Sequence, residues 1–339
     1  MKTDLDKIVV IRVDTDTRLG LSRLRRMIRL AHVFRENNFT PFILSRYNEI
    51  ASCKLKSEKL LHNFCTMPGS SEKDVIDFYC DNYPDPILWI IDNPFTPPDI
   101  INYIKKKNIP VVCFDNWTGG LASDLTFNQL SGWNTKPIHE QVVTDAQYLI
   151  TATKRCEHNI VPKISNPTRI GVYFGSADTA GDTFYAAIML NKIVQIEVDF
   201  FFGPYFFYQP RFNNMVDTLS YPFRTNCFED GCEDKLAECD VIICGGGQQF
   251  VEVCSLGPAV LAMTGEKNER RMVEDVEAAG GCLYVGDPRN EIYSAKVESF
   301  INELTVDPAQ FVPMRESACR LFTRDGAERC FEKINGILK

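Results

Sequence analysis

Residues 240–280 read DVIICGGGQQFVEVCSLGPAVLAMTGEKNERRMVEDVEAAG. Val241 to Cys244 is a short apolar run that stops at three consecutive glycines, the pattern of a buried parallel strand ending in a loop. Gly245, Gly246 and Gly247 remove every side chain where a helix should begin. Backbone N–H groups can therefore approach a phosphate, and a helix N-terminus adds partial positive charge. Glu252 falls inside that helix, where a carboxylate can accept two hydrogen bonds from the hydroxyls of a ribose. The grammar then repeats: Gly257 and Pro258 precede a strand ending at Met263, and Thr264 to Asn268 form a loop opening a helix from Glu269 to Ala279. Two strand, loop and helix units side by side make a ligand crevice at the carboxyl ends of the strands. Taken alone, a glycine run only permits a tight turn; its combination with the buried strand, Glu252 and Asn268 is more specific.

Outward from this stretch, the chain alternates strands and helices, which predicts parallel sheets with helices on both faces. In the first half the expected strands are Lys7 to Val13, Pro41 to Leu44, Ile87 to Ile91, Val111 to Phe114 and Gln147 to Thr151. A helix starts at Ser22, a suitable N-cap, with Leu24, Met27, Ile28, Ala31 and Phe34 on one face. Residues 45–85 read as peripheral, with one helix over Ser71 to Asn82. Lys154 to Pro167 is polar and without period, and reads as a linker. Beyond it come a strand from Arg169 to Phe174, a loop holding Gly175 and Ser176, a helix from Asp182 to Asn191 and a strand from Gln195 to Phe202. The aromatic stretch FFGPYFFYQP reads as core and hydrophobic corner in preference to a stacking surface. Helices over Glu233 to Glu238 and Glu291 to Leu304, a strand over Cys282 to Val285, and a terminal helix after Asp325 and Gly326 complete the reading.

The central stretch resembles the nucleotide-sugar signature of the UDP-sugar hydrolases of pseudaminic acid biosynthesis, which are relatives of the peptidoglycan UDP-GlcNAc transferase. Their pattern is roughly GGSTxxE, a Gly-Pro strand, then Asn-Gln at the head of a helix. Gly246, Gly247, Gln248, Gln249 and Glu252 match the first block, Gly257 and Pro258 the second, and Asn268 and Glu269 stand at the Asn-Gln pair. The opening is similar to the same family, where an Arg-x-Asp strand end leads through Gly-x-Gly-His into the first helix. Arg12, Asp14 and Gly20 match, whereas Ser22 replaces the second glycine and Arg23 the histidine. Gly175 and Ser176 resemble the family's GGSD loop, with Ser176 replacing a glycine.

The resemblance implies an α/β protein of the GT-B class, two Rossmann-like parallel-sheet domains facing each other across a cleft. The expected division is an acceptor and catalytic domain over 1–153, a linker over 154–168, a nucleotide-sugar domain over 169–322, and a C-terminal helix over 323–339 crossing back to the first domain. It implies binding of the nucleotide sugar by Arg12, Gly20, Gly175, Ser176, Gly246, Gly247, Gln248, Gln249, Glu252 and Glu269. Asn268 matches an asparagine of the family's active site. The family's histidine is its proposed base, a role arginine cannot fill because it stays protonated. Arg23 either offers a planar fork to a phosphate or belongs, with Arg25, Arg26 and Arg29, to a solvated helix face. Asp14, at a strand end, is the expected replacement base, while Asp92 and Asp115 read as caps or loop acceptors. Asn116 and Trp117 lie in a loop able to touch a sugar.

The 339 residues suffice for two domains, and 45% hydrophobic with 24% charged residues is the composition of a globular protein. A net charge of −8 argues against nucleic-acid binding through a basic surface. No apolar segment approaches the length of a membrane span, and the acidic start does not read as a signal peptide. Thirteen scattered cysteines without export signal read as reduced thiols of a cytoplasmic protein, and the group Cys227, Cys232, Cys239, Cys244 and Cys254 lacks a CxxC knuckle, so no metal is expected. No cofactor is expected either, since backbone donors and helix dipoles replace a cation. Three functions remain side by side: a glycosyltransferase of surface-glycan biosynthesis acting on a nucleotide sugar, most readily a UDP-sugar, with a glycan or protein acceptor; a hydrolase with water as acceptor; and a nucleotide-sugar-binding protein without catalysis.

Overall fold

The computed structural model describes residues 7–65, 70–133, 139–151, 164–228, 231–323 and 325–338. Its contacts divide the chain into two units, Met1–Ala152 with Asp325–Lys339, and Thr153–Arg324. The expected linker lies largely outside the described residues.

In the first unit the chain runs β1 (Ile8–Val13), α1 (Ser22–Glu36), β2 (Thr40–Arg46), α2 (Glu49–Ser57), β3 (Leu61–Cys65), α3 (Glu72–Asn82), β4 (Leu88–Asp92), α4 (Pro98–Lys105), β5 (Val111–Phe114), β6 (Leu125–Phe127) and β7 (Val142–Val143). The strands form one parallel sheet in the order β3-β2-β1-β4-β5-β6-β7. All six residues of β1 are buried, as a central strand covered on both faces requires. One face packs Val10, Trp89 and Ile91 against Tyr79 of α3 and Ile101 and Ile104 of α4. Each such fully buried side chain contributes about 1.5–3 kcal/mol.

Three expectations need correction here. Ser22 begins α1 rather than capping it; Leu21 is the N-cap, with no side-chain hydrogen bond. Residues 147–151 form no strand: Ala146–Tyr148 is a single tight 3-10 turn capped by Asp145, and the sheet closes through β6 and β7 instead. Residues 45–85 are not merely peripheral, because they supply α2 and the edge strand β3 besides α3. The half-exposed LHNFC of β3 has no buried face to mark it, and its backbone pairing with β2 holds it in place. The capping box of Ser71 and Asp74 starts α3 where the sequence pattern places it.

The second unit runs β8 (Thr168–Tyr173), α5 (Asp182–Leu190), β9 (Ile196–Phe202), α6 (Gln209–Met215), β10 (Phe223–Cys227), α7 (Glu233–Ala237), β11 (Val241–Cys244), α8 (Gln248–Cys254), β12 (Ala259–Met263), α9 (Lys267–Ala278), β13 (Leu283–Gly286), α10 (Ser294–Val306) and α11 (Val312–Leu321). Its sheet is again parallel, in the order β10-β9-β8-β11-β12-β13. The aromatic stretch is core: Phe202 stacks on Phe206 at 4.3 Å and meets Phe212 edge-on at 4.9 Å. The last helix, α12 (Gly326–Ile337), belongs to the first unit, where it packs on α1. Phe331 of α12 meets Phe34 edge-on at 5.1 Å and Phe39 at 5.6 Å.

In both sheets strand order reverses beside the first strand of the unit, between β1 and β4 and between β8 and β11. Loops leaving the carboxyl ends of neighbouring strands diverge there, which leaves a crevice.

Candidate functional site

In the second unit the loops after β8, β11 and β12 meet at the carboxyl edge of the sheet. Gly175 takes φ +86°, a conformation that favours glycine. A Cβ on Gly246 would lie 2.9 Å from both Glu269 Cβ and Val273 Cγ2, so no other residue fits without displacing α9. Gln249 folds back over both glycine loops: its side chain is 3.4 Å from the position of a Cβ on Gly175, and its Nε2 2.9 Å from that of a Cβ on Gly245. Gly175, Gly246, Gly247 and Gln249 are thus brought together. Ser176 is buried beside them, its carbonyl accepting from the Tyr205 N–H at 3.1 Å, and Gln248 is buried at the start of α8.

Other expectations fare differently. The Gly246 N–H does not stand open, since it donates to Glu269 Oε2 at 3.2 Å, an oxygen that also accepts from the Thr264 hydroxyl at 2.9 Å. Burial pushes the Glu269 carboxyl above its ordinary value, although these two hydrogen bonds pull the other way. Asn268 is not in a loop but in the exposed first turn of α9, beside Glu269. Glu252 is only 2% exposed, buried on α8. α8 has only seven residues, too short for a substantial dipole. The loop after β8 also carries a buried acid: Asp178 accepts from the N–H groups of Asp182 and Thr183 at 2.8 and 3.0 Å, so the first N–H groups of α5 are met by its carboxylate. Burial, followed by the charge of Asp178, pushes Asp182 up to about 7.

In the first unit Arg12 and Asp14 form a buried bidentate pair, with bonds of 2.5 and 2.7 Å, and Arg12 Nε donates to Glu72 at 2.6 Å. Asp14 also accepts from the Arg46 N–H at 2.7 Å. Burial pushes Asp14 up, but Arg12 and Arg46 together outweigh it and hold the carboxyl below its ordinary value. A carboxylate so engaged is a weak proton acceptor, which counts against the expected role of base. Glu72 gave no signal in sequence, because α3 carries it to Arg12 from sixty positions away.

Arg23 does not stand free for a phosphate; its Nη1 donates to Asp92 at 2.9 Å. Arg26, expected on a solvated face, is 0% exposed and bridges Asp92 and Asp115 through three bonds of 2.6 Å. Arg23, Arg26 and Leu30 follow helical spacing, so the arginines prolong the buried stripe of α1 onto the strand ends. Asp92 and Asp115 therefore converge, but on an arginine rather than on an open crevice. Gly20, with φ +68°, closes a loop in which the Thr15 hydroxyl donates to the Gly20 carbonyl at 2.7 Å.

Beside this cluster lies a cavity of about 540 Å³, lined from the ends of β1, β2 and β4 and the start of α3 by residues including Asp14, Asp16, Arg46, Tyr47, Glu72 and Phe95. Tyr47 and Phe95 present rings that are 63% and 57% exposed. Trp117 sits 6.0 Å from Phe95, edge to face, whereas Asn116 is buried and holds its own loop, accepting from the Gly119 N–H at 2.7 Å. Twelve cysteines among the described residues are free thiols, and no group of three or more His, Cys, Asp or Glu side chains among those residues is arranged to hold a metal. No helix among them is long and apolar enough to cross a membrane.

No protein-family model matches the chain, and no curated protein sequence matches it either. Solved structures do. A Staphylococcus aureus MnaA–UDP co-structure superposes with TM-score 0.68 at 12% identity, covering 98% of this chain and 97% of that one. Acinetobacter baumannii MurG gives 0.61 at 13% identity over 97% and 99% of the two chains. The spinosyn rhamnosyltransferase SpnG complexed with thymidine diphosphate gives 0.61 at 13% over 95% and 96%. At such identities the likeness establishes architecture alone, and the chain has the two parallel-sheet α/β domains of the GT-B fold.

Proposed function

We propose that this chain is a nucleotide-sugar-dependent glycosyltransferase of glycan biosynthesis, which breaks the anomeric C–O bond of its donor with a nucleoside diphosphate as leaving group. The observation that carries the reading is the pair of glycine loops at the switch point of the second unit, Gly175 and Gly245–Gly247, bridged by Gln249. Bare main chain at this place in a parallel sheet suits a diphosphate, whose charge grows as the anomeric bond breaks. Similar structures are described with UDP and with thymidine diphosphate, which supports a UDP-sugar or a related donor. Gly175, Ser176, Gly246, Gly247, Gln248 and Gln249 contact the diphosphate in this reading, and Asn268 and Glu269 lie at its sugar end. Backbone donors serve in place of a divalent cation. The aromatic-lined cavity of the first unit takes the acceptor, its exposed rings stacking on a sugar face.

Binding without turnover is the second reading, favoured by one observation: Asp14 and Arg23 are both tied up in ion pairs, so neither stands ready for proton transfer. Hydrolysis in the manner of the pseudaminic acid enzymes has less support, because Arg23 replaces their histidine and is engaged by Asp92. The test is to incubate the protein in EDTA with UDP-, dTDP-, GDP- and CMP-sugars and follow nucleotide release. Release only with an acceptor glycan or protein supports transfer. Release in water alone supports hydrolysis, tight binding without release supports the second reading, and no binding at all refutes all three.

A further inference from the structure

We infer that Glu269 is an internal anion, occupying the Gly246 amide while the site is empty, so that a nucleoside diphosphate enters the second unit together with a proton. This rests on the nucleotide-sugar reading above and concerns how that site is regulated.

Glu269 is the third residue of α9, a position from which a glutamate ordinarily reaches back to the backbone N–H of its own N-cap, here Glu266. It does not. The Glu266 N–H donates to the Thr264 hydroxyl at 3.1 Å, and Glu269 reaches across to another loop, accepting from the Gly246 N–H at 3.2 Å and the Thr264 hydroxyl at 2.9 Å through Oε2. Its other oxygen lies 2.9 Å from the position that a Cβ on Gly247 would take. The carboxylate therefore lies along the glycine turn, on donors that a phosphate oxygen would use.

Its surroundings are acidic. Glu266 faces it from the preceding loop, Asp182 from the start of α5 and Cys244 from the end of β11. Around Asp182 stand Asp178 and Asp287, and Arg289, paired with Asp287 at 2.7 Å, pulls Asp182 the other way without outweighing burial and Asp178. Burial already favours the neutral acid at Glu269, and the charge of Glu266 acts in the same direction. A diphosphate adds further negative charge beside it. The ligand is accepted when Glu269 takes one proton from solvent: the neutral acid keeps the Thr264 bond, releases the Gly246 N–H to a phosphate oxygen, and offers its own O–H as a donor. At a pH where the free site is ionised and the bound site is not, one proton is taken up per ligand, and affinity falls as pH rises.

The test is calorimetry with UDP in EDTA between about pH 7 and pH 8.5, above the phosphate ionisation near 6, in two buffers of different ionisation enthalpy. Wild-type protein should lose affinity as pH rises, by up to about tenfold per unit for one linked proton. Its heat should depend on the buffer in proportion to that uptake. Glu269→Gln keeps an acceptor for the Gly246 N–H and adds a permanent donor, so it should bind about tenfold more tightly at the upper pH and lose the proton uptake. Glu274→Gln removes a charge from the exposed face of the same helix and should follow wild type. Equal affinity and equal pH dependence in wild type and Glu269→Gln overturn the inference and leave the nucleotide reading intact. Should Glu269→Gln fail to fold, wild-type binding without buffer-dependent heat overturns it equally. If neither protein binds UDP, dTDP, GDP or CMP, the nucleotide reading itself falls.

Discussion

Replacing Arg26 by methionine is the sharpest test of how the first unit is held together. The stem volume is retained, so little cavity is created, but the guanidinium is lost from between Asp92 and Asp115. Three charge-assisted bonds of 2.6 Å disappear with it. At about 1.5–3 kcal/mol each, gross values would sum to about 4.5–9 kcal/mol, a large part of the roughly 5–15 kcal/mol that holds a domain. Two compensations remain: Asp92 keeps Arg23 at 2.9 Å, and Asp115 Oδ1 keeps the Leu130 N–H at 2.9 Å. What is left is the cost of buried carboxylate charge without its main counterion, about 3–5 kcal/mol when one partner of a buried pair is removed. With a urea slope of about 2 kcal/mol per molar for a unit of this size, the midpoint should fall by roughly 2 M. Tryptophan fluorescence isolates the event, because Trp89, Trp117 and Trp133 all belong to the first unit and Trp89 lies three residues before Asp92 on β4. The variant Arg26→Met with Asp92→Asn and Asp115→Asn should recover part of the loss, since both buried carboxylate charges are then gone, although the Arg23 guanidinium loses its partner at Asp92. A midpoint shift below about 0.5 M for the single variant, or no recovery in the triple one, would refute the reasoning.

Further outcomes follow from single residues. Tyr79 is fully buried and its hydroxyl has no hydrogen-bond partner among the described residues, so Tyr79→Phe should stabilise the first unit by about 1 kcal/mol, read as a rise in urea midpoint. Gly246→Ala drives a methyl to 2.9 Å from Val273 and Glu269, and should destabilise the second unit by about 1–3 kcal/mol and abolish UDP binding; calorimetry reads both. Asp182, pushed up to about 7 from an ordinary 3.8, is protonated in the folded protein over a range where the unfolded chain is ionised. Its contribution to stability is therefore present at low pH and is lost as pH rises from about 4 to about 7. Asp182→Asn should flatten that part of the pH profile of the second unit, and an unchanged profile would count against the assignment.

How much of this could be read from sequence depends on which residues carry the information. β11 was legible to the residue because an apolar run met three glycines, and β1 and β5 because parallel central strands are continuously hydrophobic. β3 and β10 were not, since edge strands are held by backbone pairing and need no apolar period. In the candidate site, the glycine positions were legible because local backbone geometry demands them. The state of the charged groups was not. Whether Arg26 is solvated, whether Asp14 is available, and whether Glu269 fills the turn are decided by partners between 2 and 89 positions away. Charge pairing across a parallel sheet leaves no periodic trace, so strand ends announce that a site exists without stating which of its groups are already spoken for.

The return of α12 to the first unit bears on the order of assembly during synthesis. Phe34 and Phe39 gain their edge-on neighbour Phe331, and Arg29 its partner Glu328, only from a segment made after the whole of the second unit. On the ribosome the second unit is contiguous and can complete its core first, while the unit begun earliest waits with apolar rings of α1 uncovered. A chaperone that shields the nascent N-terminal half until translation ends would find its ligand in that patch.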